Sequence, residues 1–222
     1  MATGNLSVWQ FFVTAFVALL LVVDPLGLAP LFVGLTEGQT APQRRAILRR
    51  AITVSLGVSL FFLLAGQKVL GYMGISIHAF GISGGILLFA TALPMIFGGR
   101  SPSQRPEDDE EGSPGEDIAI FPLAIPLLAG PGTVTTILLL ASRSGFGDQT
   151  HRMLHSGALV LAIVAAFITS FWVLFWGEKL MRQIGQGGIH ILTRVMGILL
   201  GGLAVQFVLN GLSGYWFTLT GK

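Results

Sequence analysis

Asp24-Pro25-Leu26-Gly27-Leu28-Ala29-Pro30 lies inside an apolar run that extends from Val8 to Leu35. Proline lacks an amide hydrogen and its ring clashes with the preceding helical turn, so a helix built from this run breaks near its middle. A run of this length can cross a bilayer, which takes roughly 20 apolar residues. The sequence therefore predicts a membrane-spanning helix that unwinds over Asp24 to Pro30, near mid-membrane.

A second stretch repeats this pattern in the other half of the chain. Pro126-Leu127-Leu128-Ala129-Gly130-Pro131-Gly132 places two prolines at the same spacing inside another apolar run. Unwound backbone at this depth is tolerated only where it is buried in protein or lines a wet cavity, because unpaired amide and carbonyl groups are costly in lipid. We therefore expect the two breaks to face each other.

The composition of the whole chain is that of a membrane protein. Of its 222 residues, 52% are hydrophobic and 11% are charged, and the mean hydropathy is +0.76; a soluble domain has more polar residues than this. Six apolar segments are predicted to cross the membrane, the first and fourth of them broken: Val8–Leu35, Ala51–Leu70, Ile77–Phe97, Ile118–Ala141, Gly157–Trp176 and Arg194–Phe217. The predicted fold class is an all-α polytopic membrane protein with six transmembrane helices.

Charge and cysteine usage exclude several other classes of protein. The formal net charge is only +2 and the basic residues are spread between apolar segments, so nothing indicates a nucleic-acid partner. The chain has no cysteine, which rules out disulfides, thiolate metal sites and a thiol nucleophile. We expect no metal, no resident cofactor and no catalytic residue. The expected partners are the lipid bilayer and a small-molecule solute.

The basic residues also indicate the orientation of the chain. Most of them lie in the loops after the first, third and fifth segments: Arg44, Arg45, Arg49, Arg50, Arg100, Arg105, Lys179 and Arg182. The opposite side has only Lys68, Arg143, Arg152 and Lys222. Because cytoplasmic loops are enriched in Lys and Arg, we expect those three loops inside the cell and both termini outside.

The two halves of the chain are similar across an acidic linker. Gly85-Ile86-Leu87-Leu88 recurs as Gly197-Ile198-Leu199-Leu200. Since each half has an odd number of spans, a duplication turns the second half upside down relative to the first, as in many secondary transporters. We predict two inverted-topology three-helix repeats, over residues 1–98 and 118–222, joined by an acidic cytoplasmic linker over 99–117.

The breaks are the candidate binding site. Each one exposes the N-terminus of a following half-helix, which suits a carboxylate, and the carbonyl end of a preceding half-helix, which suits an ammonium group or a cation. Asp24 is the only acid well inside an apolar segment. One interpretation is functional: Asp24 is a coupling site for a proton or cation, or a countercharge for a substrate amine. The other is local: its side chain caps the broken backbone.

The candidate substrate-binding residues are Asp24, Pro25, Gly27, Pro30, Pro126, Gly130, Pro131, Gly132, Thr133, Arg194, Gln206 and Asn210. Hydrogen bonding between helices is the default role for Gln206 and Asn210. Arg194 either extends to the interface or lies deeper and holds a carboxylate. Thr135 and Thr136 are expected to bond back to their own helix.

A remote alternative is an intramembrane serine hydrolase, because Gly81-Ile82-Ser83-Gly84-Gly85 fits the G-x-S-x-G pattern. Close packing of helices explains these glycines better.

These motifs resemble the MarC family of six-span membrane proteins, which is also described as a neutral amino acid transporter family. The resemblance rests on Asp24-Pro25-Leu26-Gly27 with Pro30, Gly74-Ile75-Ser76-Ile77, Ile82-Ser83-Gly84-Gly85, Phe121-Pro122-Leu123-Ala124-Ile125-Pro126, Ala129-Gly130-Pro131-Gly132-Thr133, and Gln206-Phe207 with Asn210-Gly211. One departure is Gly81, where relatives often carry arginine.

The resemblance implies transport of small neutral amino acids such as glycine or alanine by alternating access, coupled to a proton or sodium gradient. It also implies the inner (cell) membrane of a bacterium or archaeon, with a homo-oligomer as a possible assembly. The alternative is an exporter of drugs or other small solutes, or a channel.

Overall fold

A computed structural model describes residues 7–36, 38–97, 119–144 and 149–220. These residues are helical and contain no strand. Their elements are α1 (Val8–Val23), α2 (Pro25–Leu35), α3 (Ala41–Tyr72), α4 (Ile77–Phe97), a π-helix (Ala119–Leu128), α5 (Pro131–Ser144), α6 (Gln149–Phe175) and α7 (Gly177–Thr220). The all-α prediction is therefore confirmed, and the predicted linker over 99–117 lies outside the described residues.

Within the described ranges, five helical stretches are long and apolar enough to cross a membrane. They are Val8–Ala29, Ala41–Tyr72, Ile77–Phe97, Met153–Phe175 and Thr193–Thr218. The fourth predicted segment instead consists of the π-helix followed by α5, whose apolar part is the shorter Pro131–Ser142. The chain is thus a polytopic helical membrane protein with an interrupted element in its second half.

Two helices begin earlier than the apolar segments predict. The second segment was expected from Ala51, but α3 starts at Ala41, where Gln43 Oε1 accepts from the Thr40 amide at 2.8 Å. The sixth was expected from Arg194, but α7 starts at Gly177 and bends at Gly185, whose φ is 68°. Hydropathy identifies only the part of a helix that is apolar enough for lipid. Backbone hydrogen bonds and capping extend the helix beyond that part, into polar turns.

Helices from the two halves pack side by side. α1 and α2 together run parallel to α6. The rings of Phe11 in α1 and His155 in α6 lie 5.0 Å apart at one end, and at the other a Cβ atom on Gly177, just after α6, would lie 3.3 Å from the Ala29 Cβ atom of α2. α3 runs parallel to the π-helix and α5 in the same way, and most of these elements share one apolar core.

α4 and α7 run antiparallel and form a second, smaller core. A Cβ atom on Gly85 would lie 2.7 Å from the carbonyl oxygen of Ala204, and one on Gly211 would lie 2.8 Å from that of His78. Gly197 is similarly close to Met95. Only glycine allows backbones to approach so closely, so these glycines serve close packing, as the sequence predicted for Gly85.

Candidate functional site

The first break is shorter than predicted. The sequence predicted an unwound stretch from Asp24 to Pro30, but only Asp24 leaves the helical conformation, with φ 46° and ψ 60°. Helix α2 restarts at Pro25 and continues through Pro30. The reason is that Pro25 occupies the first helical position, where its missing amide costs nothing and its fixed φ is already helical. The predicted unwinding over Leu26 to Pro30 is therefore wrong.

Asp24 closes this break with its own side chain. Its Oδ1 atom accepts a hydrogen bond from the Gly27 amide at 3.1 Å, and its Oδ2 atom lies where a Cβ atom of Gly27 would be. The structure thus shows the local cap that was one of the two interpretations of Asp24. The residue is half-buried and lies within the span Val8–Ala29. A cap leaves the carboxylate able to accept further hydrogen bonds, so a coupling role stays a prediction.

The second break lies at Ala129 and Gly130, between the π-helix and α5. The Ala129 amide donates to the Ala124 carbonyl at 2.9 Å, which is the last long-period bond of the π-helix, and α5 begins at Pro131. The residue before the restart is glycine here and aspartate at the first break, so no side chain caps α5 from that position. In the structure, Pro25 and Pro131 are the matching restarts, while Pro30 and Pro126 lie inside helices.

The two breaks are neighbours, as the sequence led us to expect. A Cβ atom on Gly132, in the first turn of α5, would lie 3.2 Å from Val22 Cγ1, just before Asp24. The same atom would collide with Leu88 of α4. Gly132 therefore lets the restart of α5 come close to the end of α1.

The threonines after the second break have different roles. The Thr133 hydroxyl donates to the Leu128 carbonyl at 3.0 Å and ties α5 to the end of the π-helix. The Thr136 hydroxyl donates back to the Gly132 carbonyl at 2.8 Å, as predicted. Thr135 lies against Gly84 of α4. All three are buried.

Arg194, Gln206 and Asn210 lie on α7 and are not brought to the breaks by any described contact. Gln206 Nε2 donates to Asn210 Oδ1 at 2.9 Å, so the two amides pair within one helix and not between helices. Gln206 and Arg194 are exposed, and Arg194 lies at the beginning of the span Thr193–Thr218. These three assignments stay predictions.

The G-x-S-x-G stretch lies on α4. Ser83 is exposed on that helix, while Gly84 and Gly85 face α5 and α7. Gly81 is buried, and a Cβ atom on it would lie 3.3 Å from Leu139 of α5. An arginine at this position therefore requires α4 and α5 to pack differently.

Two buried serines were not predicted from the sequence as candidate site residues. Ser59 of α3 and Ser170 of α6 are both fully buried. Ser170 donates to the Ala166 carbonyl at 2.8 Å, whereas the Ser59 hydroxyl has no hydrogen-bond partner among the described residues. No local pattern distinguishes these serines, although each lies in an apolar segment.

A cavity of about 380 Å³ opens elsewhere, where α2 and α6 end and α3 begins. Gln39, Arg44, Arg45 and Phe175 contribute to its lining. Arg44 Nε donates to the Thr36 carbonyl at 3.1 Å, and the Arg45 guanidinium lies 5.0 Å from the centroid of the Phe175 ring. Both arginines are therefore engaged at the rim, and this cavity is not part of the breaks.

Comparison with known proteins agrees with the resemblance seen in the motifs. The family described as "MarC family integral membrane protein" matches residues 9–216. UPF0056 membrane protein MJ1677 of Methanocaldococcus jannaschii is 35% identical over 206 residues, which cover 92% of this chain and 97% of that protein. UPF0056 membrane protein YvbG of Bacillus subtilis is 34% identical over 215 residues, covering 96% and 99%.

A third relative carries a location in its name. UPF0056 inner membrane protein YhgN of Escherichia coli is 36% identical over 201 residues, covering 90% of this chain and 95% of the relative. No solved structure matches the chain. The family match extends over nearly the whole chain, from the first helix to the last. The chain belongs to the MarC family of integral membrane proteins.

Proposed function

We propose that this protein is a secondary transporter of small neutral amino acids, such as glycine or alanine, that works by alternating access and is coupled to a proton or sodium gradient. The observation that supports this best is the contact between the two broken helices, where the start of α5 meets the end of α1 through Gly132 and Val22. Paired helix breaks at a repeat interface are where secondary transporters bind their substrates. The substrate class comes from the resemblance to the family.

The proposal includes six crossings arranged as two inverted repeats. The helix contacts support it, because the helix after each break packs on the two long helices of the other half. In the first half α2 packs on α6 and α7, and in the second half α5 packs on α3 and α4. Burial supports it as well. Six buried residues of α3 each have a buried counterpart in the second half, and the number of positions between the two members is the same for every pair. The pairs are Ile47 with Ala158, Leu48 with Leu159, Ala51 with Ala162, Ser55 with Ala166, Ser59 with Ser170, and Gly66 with Gly177.

Asp24 is the proposed coupling residue. An ionised carboxylate inside a span costs about 3 kcal/mol or more without a partner, so its presence between α1 and α2 requires a compensating role. The cap on Gly27 uses one carboxylate oxygen as its acceptor. The other oxygen is available, in our proposal, for a proton or sodium ion that accompanies the substrate.

The orientation in the proposal puts both termini outside the cell. Arg44, Arg45 and Lys179 gather at one end of the helices, and Lys179 lies 5.1 Å from the ring of Trp176. Basic residues with an aromatic ring suit a cytoplasmic interface.

The test is counterflow of radiolabelled glycine and alanine into proteoliposomes that hold the purified protein. We expect saturable exchange that empty liposomes lack. Asp24→Asn is the informative variant, because asparagine can still cap Gly27 and tolerates a positive φ. It should keep counterflow and lose accumulation driven by an imposed proton or sodium gradient.

Two results would contradict this scheme. Exchange of no neutral amino acid would remove the substrate assignment and favour the channel and exporter alternatives. An Asp24→Asn variant with unchanged rate and unchanged ion dependence would remove Asp24 from coupling while leaving the transporter assignment in place.

A further inference from the structure

The two broken helices differ in whether the restarting helix is already capped by an acid. At the first break the Asp24 carboxylate accepts from the Gly27 amide, so the N-terminus of α2 already holds a negative group. At the second break the equivalent position is Gly130, which has no side chain. The first amides of a helix have no partner within that helix and attract anions. The start of α5 therefore lacks the acidic cap that the start of α2 has.

Ser59 lies on the face of α3 that packs against the π-helix and α5. Ser55, Ser59 and Gly66 lie on one stripe of α3, since their spacings bring them to the same side of a helix. Ser55 Oγ lies 3.3 Å from the Ala124 carbonyl oxygen of the π-helix, and Gly66 lies against Leu138 of α5. Ser59 is between these two contacts and nearer the first. It is thus level with Ala129 and Gly130.

The isolation of this hydroxyl points to a missing ligand. Ser59 has no exposed surface and its Oγ atom has no hydrogen-bond partner among the described residues. A buried polar group without a partner costs about 1 to 3 kcal/mol, and such groups usually have one. A serine in a membrane helix normally bonds back to its own backbone, as Ser55 and Ser170 do.

We infer that the N-terminus of α5 and the Ser59 hydroxyl together bind the carboxylate group of the transported amino acid, and that the N-terminus of α2 does not. The inference rests on the proposed transport function. It divides the substrate between the breaks: the carboxylate lies at Gly130 to Thr133, near Ser59, and the ammonium group lies toward the carbonyl end of α1.

The test measures binding of radiolabelled alanine to the purified protein in detergent, with alaninamide and propionate as competitors. A hydrogen bond to a charged group contributes about 1.5 to 3 kcal/mol, so Ser59→Ala should weaken alanine binding about tenfold or more. Competition by alaninamide, which lacks the carboxylate, should be the same in Ser59→Ala as in the wild type. The matched control is Ser170→Ala, whose hydroxyl is already bonded to Ala166, and it should bind alanine as the wild type does.

A structural role for Ser59 gives different results. Because the hydroxyl has no hydrogen-bond partner among the residues that the structure describes, Ser59→Ala should leave the unfolding temperature unchanged or raise it slightly. A lower unfolding temperature, or an equal loss of affinity in Ser59→Ala and Ser170→Ala, would contradict the inference.

The outcomes separate this inference from the proposed function. If alanine is exchanged and bound but Ser59→Ala binds it as tightly as the wild type, the carboxylate site is wrong and the transporter assignment stands. If the protein neither binds nor exchanges any neutral amino acid, both are wrong.

Discussion

The Asp24 carboxylate and the Gly27 amide form a closed turn at the kink between α1 and α2. Oδ1 accepts from the amide at 3.1 Å, while Oδ2 fills the space that a side chain on residue 27 would need. This arrangement explains why aspartate and glycine stand three positions apart around Pro25. The acid caps the restarting helix, and the glycine makes room for the acid.

Gly27→Ala should therefore disrupt the first break. The new methyl group collides with the Asp24 carboxylate, so the cap is lost or the helix shifts, and we expect a loss of about 1 to 3 kcal/mol in unfolding free energy. Thermal or denaturant unfolding in detergent measures it. The control is Gly34→Ala in the same helix, where no atom lies within 4 Å of the new methyl group. Equal stability of the two variants would show that Asp24 can turn away at little cost.

The contact between α4 and α7 should be equally intolerant of added methyl groups. Gly85→Ala and Gly211→Ala each place a methyl group against a backbone carbonyl, of Ala204 and His78 respectively, which cannot move aside as a side chain can. We expect each to destabilise the protein by about 1 to 3 kcal/mol.

Gly202→Ala on α7 is the control for this pair, since nothing lies within 4 Å of its new methyl group. It should stabilise the helix by about 0.5 to 1 kcal/mol, the usual difference between alanine and glycine in a helix. Unfolding in detergent compares the three. A destabilising Gly202→Ala would place an unexpected neighbour on the outer face of α7.

Thr133→Val should loosen the second break. Valine keeps the shape of threonine but removes the hydroxyl that joins α5 to the Leu128 carbonyl, leaving that buried acceptor with one bond fewer. The expected cost is about 1 to 2 kcal/mol. Thr136→Val removes a bond within one helix, to a carbonyl that the helix ladder also serves, and should cost less. If the two variants unfold alike, the Thr133 bond does not hold the break.

The orientation can be tested with single cysteines, because the chain has none of its own. Ser7 precedes α1 and Ala41 begins α3, and both are exposed at opposite ends of the helices. With the N-terminus outside, a membrane-impermeant thiol reagent added to intact cells should label Ser7→Cys and leave Ala41→Cys unlabelled until the membrane is opened. The reverse pattern would invert the predicted topology.

Sequence patterns predicted the break near Pro25 because proline acts within one helical turn. They overestimated its extent, since Pro25 suits the first position of a helix and Pro30 is tolerated inside one. At the second break, Gly130-Pro131 indicated an interruption in the same way, but the sequence did not predict the π-helix that precedes it. A change from the α to the π period adds one residue per turn without a distinctive local composition.

Hydropathy, proline positions and glycine spacing alone determined that this protein is helical, lies in a membrane, breaks twice and packs α4 tightly, because these are properties of short stretches of chain. Only the tertiary structure decided which polar groups meet. Ser55 reaches Ala124 across 69 positions of sequence, and the Ser59 hydroxyl is left without a hydrogen-bond partner among the described residues. The physical reason is that the partner of a buried hydroxyl depends on how whole helices pack against each other, which no single segment specifies.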